Sequence, residues 1–368
     1  MKEGLEGVVA AQTRLSLVDG EAGRLIIAGY AVEDLAPSAR FEEVAYLLLH
    51  GRLPEPTERD RFTQDLAERR ELSGIALEVL HAAAAVNASP MDVLRMSVPL
   101  LSLGRKENAV EDAMVAIASF PTIVGAYWRI LNGEGPVPVR RNLSHAAHYL
   151  HQLSGAEPSK ERTRALETYL NTVCDHGFNA STFAARVIVS THSDIISAIT
   201  GAVGALKGPL HGGAPGPALD MVFEIAAPER AEAVIRAKLD RGERLMGFGH
   251  RVYRVRDPRA DVLGEAARRF YSSEGDRSLF ELALSVETTA LRLLRERKPE
   301  RFPTKVCYLR FGRLASEGPF YANRQQTLCL DDEASTRASQ RTLRAQVARR
   351  SITRSSRARM RDRRRRSR

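Results

Sequence analysis

Apolar residues recur three and four positions apart from residue 41 to about residue 300, and that interval is the period of a helix rather than of a strand. Phe41, Val44, Ala45, Leu48 and Leu49 make one helical face, which stops at Gly51 ahead of Pro54. Leu219, Val222, Phe223 and Ala226 repeat the pattern. Pro228 then stands where a first-turn proline would open the next helix, and Gly242 where it would close. Leu282, Val286, Ala290 and Leu293 mark another amphipathic stretch. After residue 40 no strand pattern of comparable strength occurs, and no period of about 20–50 residues repeats. Before it, Gly4 to Val9 and Thr13 to Asp34 alternate short apolar runs with glycines and an Asp19-Gly20 turn, which predicts a small hairpin. The expected class is mostly α with a small N-terminal β-hairpin.

With 368 residues, 43% of them hydrophobic, the chain is long enough for two packed domains. There is no uninterrupted apolar run of about 18 residues, and Met1 to Glu6 lacks the apolar core of a secretory signal, so the cytoplasm is expected. Cys174, Cys307 and Cys329 show no paired metal-ligand spacing, and reduced thiols are expected. The net charge of +10 suggests nucleic acid only until it is divided along the chain. Residues 337–368 hold 14 arginines and one acid, a net +13, which leaves −3 for residues 1–336. Neither a membrane nor a nucleic-acid partner is expected for the body of the chain.

From Phe302 onward, proline, glycine, polar residues and arginine interrupt every apolar run, and the stretch ends in Arg363-Arg364-Arg365-Arg366. Residues 302–368 read as an atypical, poorly ordered, arginine-rich C-terminus.

The nine histidines differ in promise. His145, His148 and His151 form an H-x-x-H-x-x-H array, but positions i and i+6 of a helix lie about 120° apart and no carboxylate ligand joins them. No metal is expected there. His50, His81 and His192 read as helix-surface or helix-end residues. His211 follows Lys207-Gly208-Pro209-Leu210 and precedes Gly212-Gly213-Ala214, a flexible turn before a helical pattern resumes. Glycines let backbone approach a ligand, and a histidine near a helix N-terminus is held neutral and suited to donating a hydrogen bond. A purely structural turn fits those features equally well. His250 lies in Met246 to Arg259, a loop with four arginines, Arg251, Arg254, Arg256 and Arg259. That composition suits either a cradle for an anionic substrate or a solvated charged loop. A third stretch, Asp175-His176-Gly177-Phe178-Asn179-Ala180-Ser181-Thr182, sets a histidine between two helical segments.

Taken in order, Asp175 to Thr182, Leu210-His211-Gly212-Gly213 and Gly249-His250-Arg251 resemble the citrate synthase family, in its shorter bacterial type that overlaps with 2-methylcitrate synthase. The likeness includes Gly4-Leu5-Glu6-Gly7-Val8, Asp19-Gly20, Gly23-Arg24-Leu25 and Phe41 through Pro54, and spans about residues 4–300. The resemblance implies a two-domain helical homodimer, with residues 1–216 as the large, dimer-forming domain and 217–301 as the small domain closing over substrate and coenzyme A. It implies oxaloacetate and acetyl-CoA as partners, acetyl-CoA as cosubstrate, and neither a metal nor a permanently bound cofactor. By the same match, His211 would hydrogen-bond the acetyl carbonyl and stabilise its enolate, and His250 would polarise the oxaloacetate ketone. His176 and Arg259 would hold the oxaloacetate carboxylates. Arg254 would meet the coenzyme A phosphates, and Gly247, Phe248 and Gly249 would offer backbone to the adenine.

Two departures stand out. Pro215-Gly216 replaces the family's usual Asn-Glu, which leaves acetyl-CoA against propionyl-CoA preference open. Where the family carries its general-base carboxylate in an Asn-Val-Asp-Phe-Tyr type motif, this chain reads Pro303-Thr304-Lys305-Val306-Cys307-Tyr308, with Cys307 in the carboxylate's place. The C-terminus reads as replaced, as an out-of-frame reading of a GC-rich gene would produce, and turnover is expected to be impaired. The alternative is a non-catalytic member that binds metabolites or, through its basic tail, nucleic acid.

Overall fold

The computed structural model describes residues 9–208, 211–212, 215–245, 247–249, 252–253, 255–273 and 277–297. The residues around Cys307 and the arginine-rich C-terminus lie outside them.

Three short antiparallel strands open the chain, β1 (Ser16–Asp19), β2 (Arg24–Ile27) and β3 (Tyr30–Ala31), in that order. Ser16 pairs with Ile27 and Asp19 with Arg24. Asp19 shapes the first turn: its Oδ1 accepts the Ala22 amide at 2.9 Å and its Oδ2 meets Arg24 at 3.1 Å. The hairpin expected from sequence is thus present with one added strand. That strand is two residues long and follows a two-residue turn, Ala28-Gly29, with positive φ at both positions, the geometry that matches strand twist.

Helices follow: α1 (Val32–Leu35), α2 (Phe41–His50), α3 (Pro56–Glu68), α4 (Gly74–Ala85), α5 (Pro90–Ser97), α6 (Ala109–Leu131), α7 (His145–Ser154), α8 (Lys160–Val173), α9 (Ala180–Val189), α10 (Ile195–Leu206), α11 (Pro215–Ile225), α12 (Ala231–Asp240), α13 (Pro258–Ser273) and α14 (Arg277–Arg297). Their starts are written in the sequence. Ser73, Ser89, Asn108, Ser144, Ser159, Asn179 and Asp194 each accept a first-turn amide hydrogen with the side chain. Gly51 ends α2 in the left-handed conformation, as its position after the periodic face predicts. Pro228 opens a 3-10 turn that runs into α12, and Gly242, at φ 74°, follows the helix end.

The largest core lies among α4, α5, α6 and α10, around Leu80, Val98, Ile123 and Tyr127. α6 is long and apolar enough to cross a membrane, but it buries most of its length in this core. A separate core, with Val222, Ile225, Ile235, Val286 and Ala290, joins α11, α12 and α14. α13 instead packs Leu263 and Ala267 beside Ala165 of α8.

The three-histidine array lies inside the fold. His145, His148 and His151 are all buried on α7. His145 stacks on Phe41 with ring centroids 4.2 Å apart, and His148 Nε2 meets the Thr122 hydroxyl at 3.1 Å. Burial, aided by the neighbouring Arg70 charge, lowers both imidazoles to a pKa of about 3, so they are neutral packing residues. Arg70 itself is fully buried and gives Nη1 to the carbonyls of Arg140 and Leu143, while Glu42 accepts the His145 amide at 2.6 Å. These groups tie α2, the end of α3 and α7 together.

Candidate active site

The segment 175–182 is a turn between α8 and α9 built by its own side chains. The Gly177 amide donates to Asp175 Oδ1 at 2.9 Å and to the Ser16 hydroxyl at 3.1 Å, with φ 69° at the glycine. Asn179 then caps α9, its Oδ1 accepting from the Ser181 and Thr182 amides at 2.9 and 3.1 Å. The polar residues are consumed in closing the turn. His176 is left half-buried, its Nε2 3.1 Å from the hydroxyl of Tyr253.

The other end of the segment reaches the second histidine. His211 Nε2 lies 2.9 Å from the Ser181 hydroxyl, which also stands 2.9 Å from the Ala202 carbonyl of α10. The turn carrying His211 is wound back on the end of α10: its amide donates to Gly208 O at 2.9 Å, and the Gly212 amide to Leu206 O at 3.0 Å. Sequence reasoning set His211 before a helix. It does precede α11, which begins at Pro215, while its backbone hydrogen bonds anchor it to the end of α10.

The loop after Leu245 leans on two different parts of the molecule. Phe248 packs against the α11, α12 and α14 core, with positive φ at Gly247 and Gly249 on either side. Beyond it the loop meets the N-terminal hairpin. A Cβ at Gly20 would run into the Val252 carbonyl, so only glycine admits this approach. Arg256 bridges to Glu33 at 2.9 Å and to Asp261. Arg259 is buried, and its Nε and Nη2 take the two oxygens of the buried Asp257 at 3.0 and 2.8 Å. The two opposite charges compensate one another, and the fork fixes the guanidinium plane.

The 175–182 segment is therefore the link among the candidates, joined through His176 to the 247–259 loop and through Ser181 to His211. His250, Arg251 and Arg254 lie outside the described residues, as does Cys307. Sequence reasoning singled out the histidines and passed over Ser181, Tyr253 and Asp257. All three lie within or beside the quoted motifs, yet the interval along the chain carries no sign that they would touch a histidine.

Cys174, next to this turn, is a free thiol whose pKa burial pushes up to about 12, so it is inert as a nucleophile. Among the described residues no group of three or more His, Cys, Asp and Glu side chains is placed to hold a metal. An open cavity of about 420 Å³ between α7 and α8, lined by Leu143, Ala147, Pro158 and Thr163 among others, includes none of these motif residues.

Comparison with known proteins agrees with the motif reading. The family described as citrate synthase, C-terminal domain, matches residues 4–309, past Phe302 and two residues beyond Cys307. The citrate synthase of Haloferax volcanii is 40% identical over 298 residues, 78% of this chain and 79% of that protein. The 2-methylcitrate synthase of Shewanella oneidensis is 38% identical over 291 residues, 77% of each. The solved citrate synthase of Thermoplasma acidophilum, a ternary complex with carboxymethyl coenzyme A and oxaloacetate, superposes with a TM-score of 0.76 at 28% identity, covering 86% of each chain.

Proposed function

Because the chain belongs to the citrate synthase family, we propose that it condenses acetyl-CoA with oxaloacetate, to citrate and coenzyme A, between His211 and His250. The observation that carries the reading is the 175–182 segment, which contacts His211 through Ser181 and the 247–259 loop through His176. In the reaction the acetyl methyl loses a proton to a base, and negative charge develops on the thioester oxygen. A neutral imidazole N–H aimed at that oxygen stabilises it more in the transition state than in the ground state. His211 suits this role when Nε2 accepts the Ser181 proton and Nδ1 carries its own. The nucleophilic carbon then attacks the oxaloacetate ketone, whose oxygen His250 polarises, and water cleaves the thioester to release the thiol. His176 and Arg259 hold the oxaloacetate carboxylates, with the Asp257 fork keeping Arg259 in one plane. Arg254 meets the coenzyme A phosphates, and Gly247 to Gly249 offer backbone to the adenine.

The same reading divides the chain into a large domain at 1–216 and a small one at 217–301, in keeping with the separate core of α11, α12 and α14. It also makes the protein a cytoplasmic homodimer. In support, α9 buries none of its residues although Phe183, Val187 and Val189 are apolar and exposed, and Leu206 of α10 is exposed as well. Sedimentation of the protein as a dimer, converted to monomer by Val187→Asp, checks this part; a wild-type monomer overturns it.

The central test is oxaloacetate-dependent thiol release from acetyl-CoA, run beside calorimetric binding of oxaloacetate. Binding with release supports the reading, and neither binding nor release ends it. Faster release from propionyl-CoA would turn the assignment to 2-methylcitrate synthase, the choice that Pro215-Gly216 leaves open.

A further inference from the structure

Tyr253 is 1% exposed, yet its hydroxyl reaches the half-buried His176, 3.1 Å from Nε2. The rings meet edge-on, with centroids 5.6 Å apart and planes inclined at 65°. A buried phenol must place its hydroxyl on a partner, and this one places it on a group already assigned to substrate. The phenol is the fixed member of the pair. Val252, before it, has its carbonyl against Gly20; Val255 and Arg256, after it, pack against Gly23, and Arg256 is tied to Glu33 and Asp261. Asp257 and Arg259 then lock the end of the loop. His176, by contrast, stands in a turn next to a glycine with φ 69°.

The direction of this contact sets which nitrogen of His176 carries the proton. In the arrangement proposed here the Tyr253 hydroxyl donates to Nε2. An imidazole that accepts at Nε2 carries its single proton on Nδ1. That is the form able to donate a hydrogen bond to an anionic carboxylate. The geometry points to Tyr253 as a positioning residue that selects the Nδ1–H tautomer of His176 and so sets oxaloacetate affinity. The assignment rests on the reading of His176 as an oxaloacetate ligand.

The test is calorimetric titration of oxaloacetate, and separately of coenzyme A, into the full-length protein and its Tyr253→Phe and His176→Gln variants. Phenylalanine keeps the ring and removes only the hydroxyl. Loss of one such hydrogen bond is expected to weaken oxaloacetate about tenfold, with coenzyme A binding and melting temperature unchanged. The deficit relative to wild type should shrink once acid has protonated both ring nitrogens of His176, a form that needs no tautomer selection. A purely structural role for Tyr253 would leave the pH dependence alone and move both ligands together, and that outcome overturns the proposal. Wild-type affinity in Tyr253→Phe, with weakening in His176→Gln, overturns it while leaving the His176 assignment intact. Wild-type affinity in His176→Gln removes that assignment and this proposal with it.

Discussion

The Ser181 hydroxyl stands 2.9 Å from His211 Nε2 and 2.9 Å from the Ala202 carbonyl oxygen, one proton between two acceptors. Given to Ala202, that proton leaves His211 as the Nε2–H tautomer. Given to His211, it leaves Nδ1 as the donor. Ser181→Ala removes the choice without adding bulk and is expected to lower kcat for thiol release about tenfold, the scale of one hydrogen bond, with oxaloacetate affinity unchanged. Steady-state kinetics beside calorimetry separates the two, and an unaltered kcat would show that the hydroxyl plays no part.

Cys307 stands in sequence where the family carries a carboxylate, and nothing nearby in sequence shows how a thiol pKa would be lowered there. Loss of a positioned general base costs about 10²–10⁴-fold in rate, so thiol release from acetyl-CoA should be slow while oxaloacetate still binds. Cys307→Asp is expected to raise release by about a hundredfold or more on the same principle. Ordinary turnover by the unsubstituted chain would refute the missing base.

Gly20 brings the hairpin turn against a backbone carbonyl, which has no flexible end to move aside. Gly20→Ala should displace the 252–256 loop, destabilise the fold by about 1–3 kcal/mol and weaken oxaloacetate. Gly74→Ala, at a helix start with open space around it, is the control and should change neither. Urea unfolding and calorimetry report the two effects; an unaltered Gly20→Ala would mean that the hairpin does not support the site.

His145 and His148 titrate at about 3 in the folded chain and near 6.5 when unfolded. The unfolded chain therefore binds more protons between those values. Their neutral forms contribute stability that is fully present above about pH 6.5 and is lost as pH falls toward 3, by up to about 2.7 kcal/mol per pH unit for two sites. Glu42, whose burial raises its pKa, works in the opposite sense and offsets part of the slope. Urea midpoints from pH 7 to pH 4 should fall accordingly. His148→Gln should flatten the fall by about half, and an equal slope in the variant would place the acid sensitivity elsewhere.

Much of the fold is legible along the chain because helices are local. The intervals at Phe41 to Leu49 and Leu282 to Leu293, and the capping residues Ser73, Asn108 and Asn179, act within one or two turns of themselves. The third strand was less legible, since a two-residue element has no period. Nor did spacing reveal that the array at His145, His148 and His151 is buried, because burial depends on which helices arrive to cover α7.

The sequence by itself determined the helical class, the places where helices start and stop, the family, and which histidines to examine. Only the tertiary structure decided what those histidines touch. Ser181 and His211 are 30 positions apart, and His176 and Tyr253 are 77 apart. No local rule couples such positions, whereas α9 packed along α10, and a glycine turn letting one backbone close on another, bring them within a hydrogen bond.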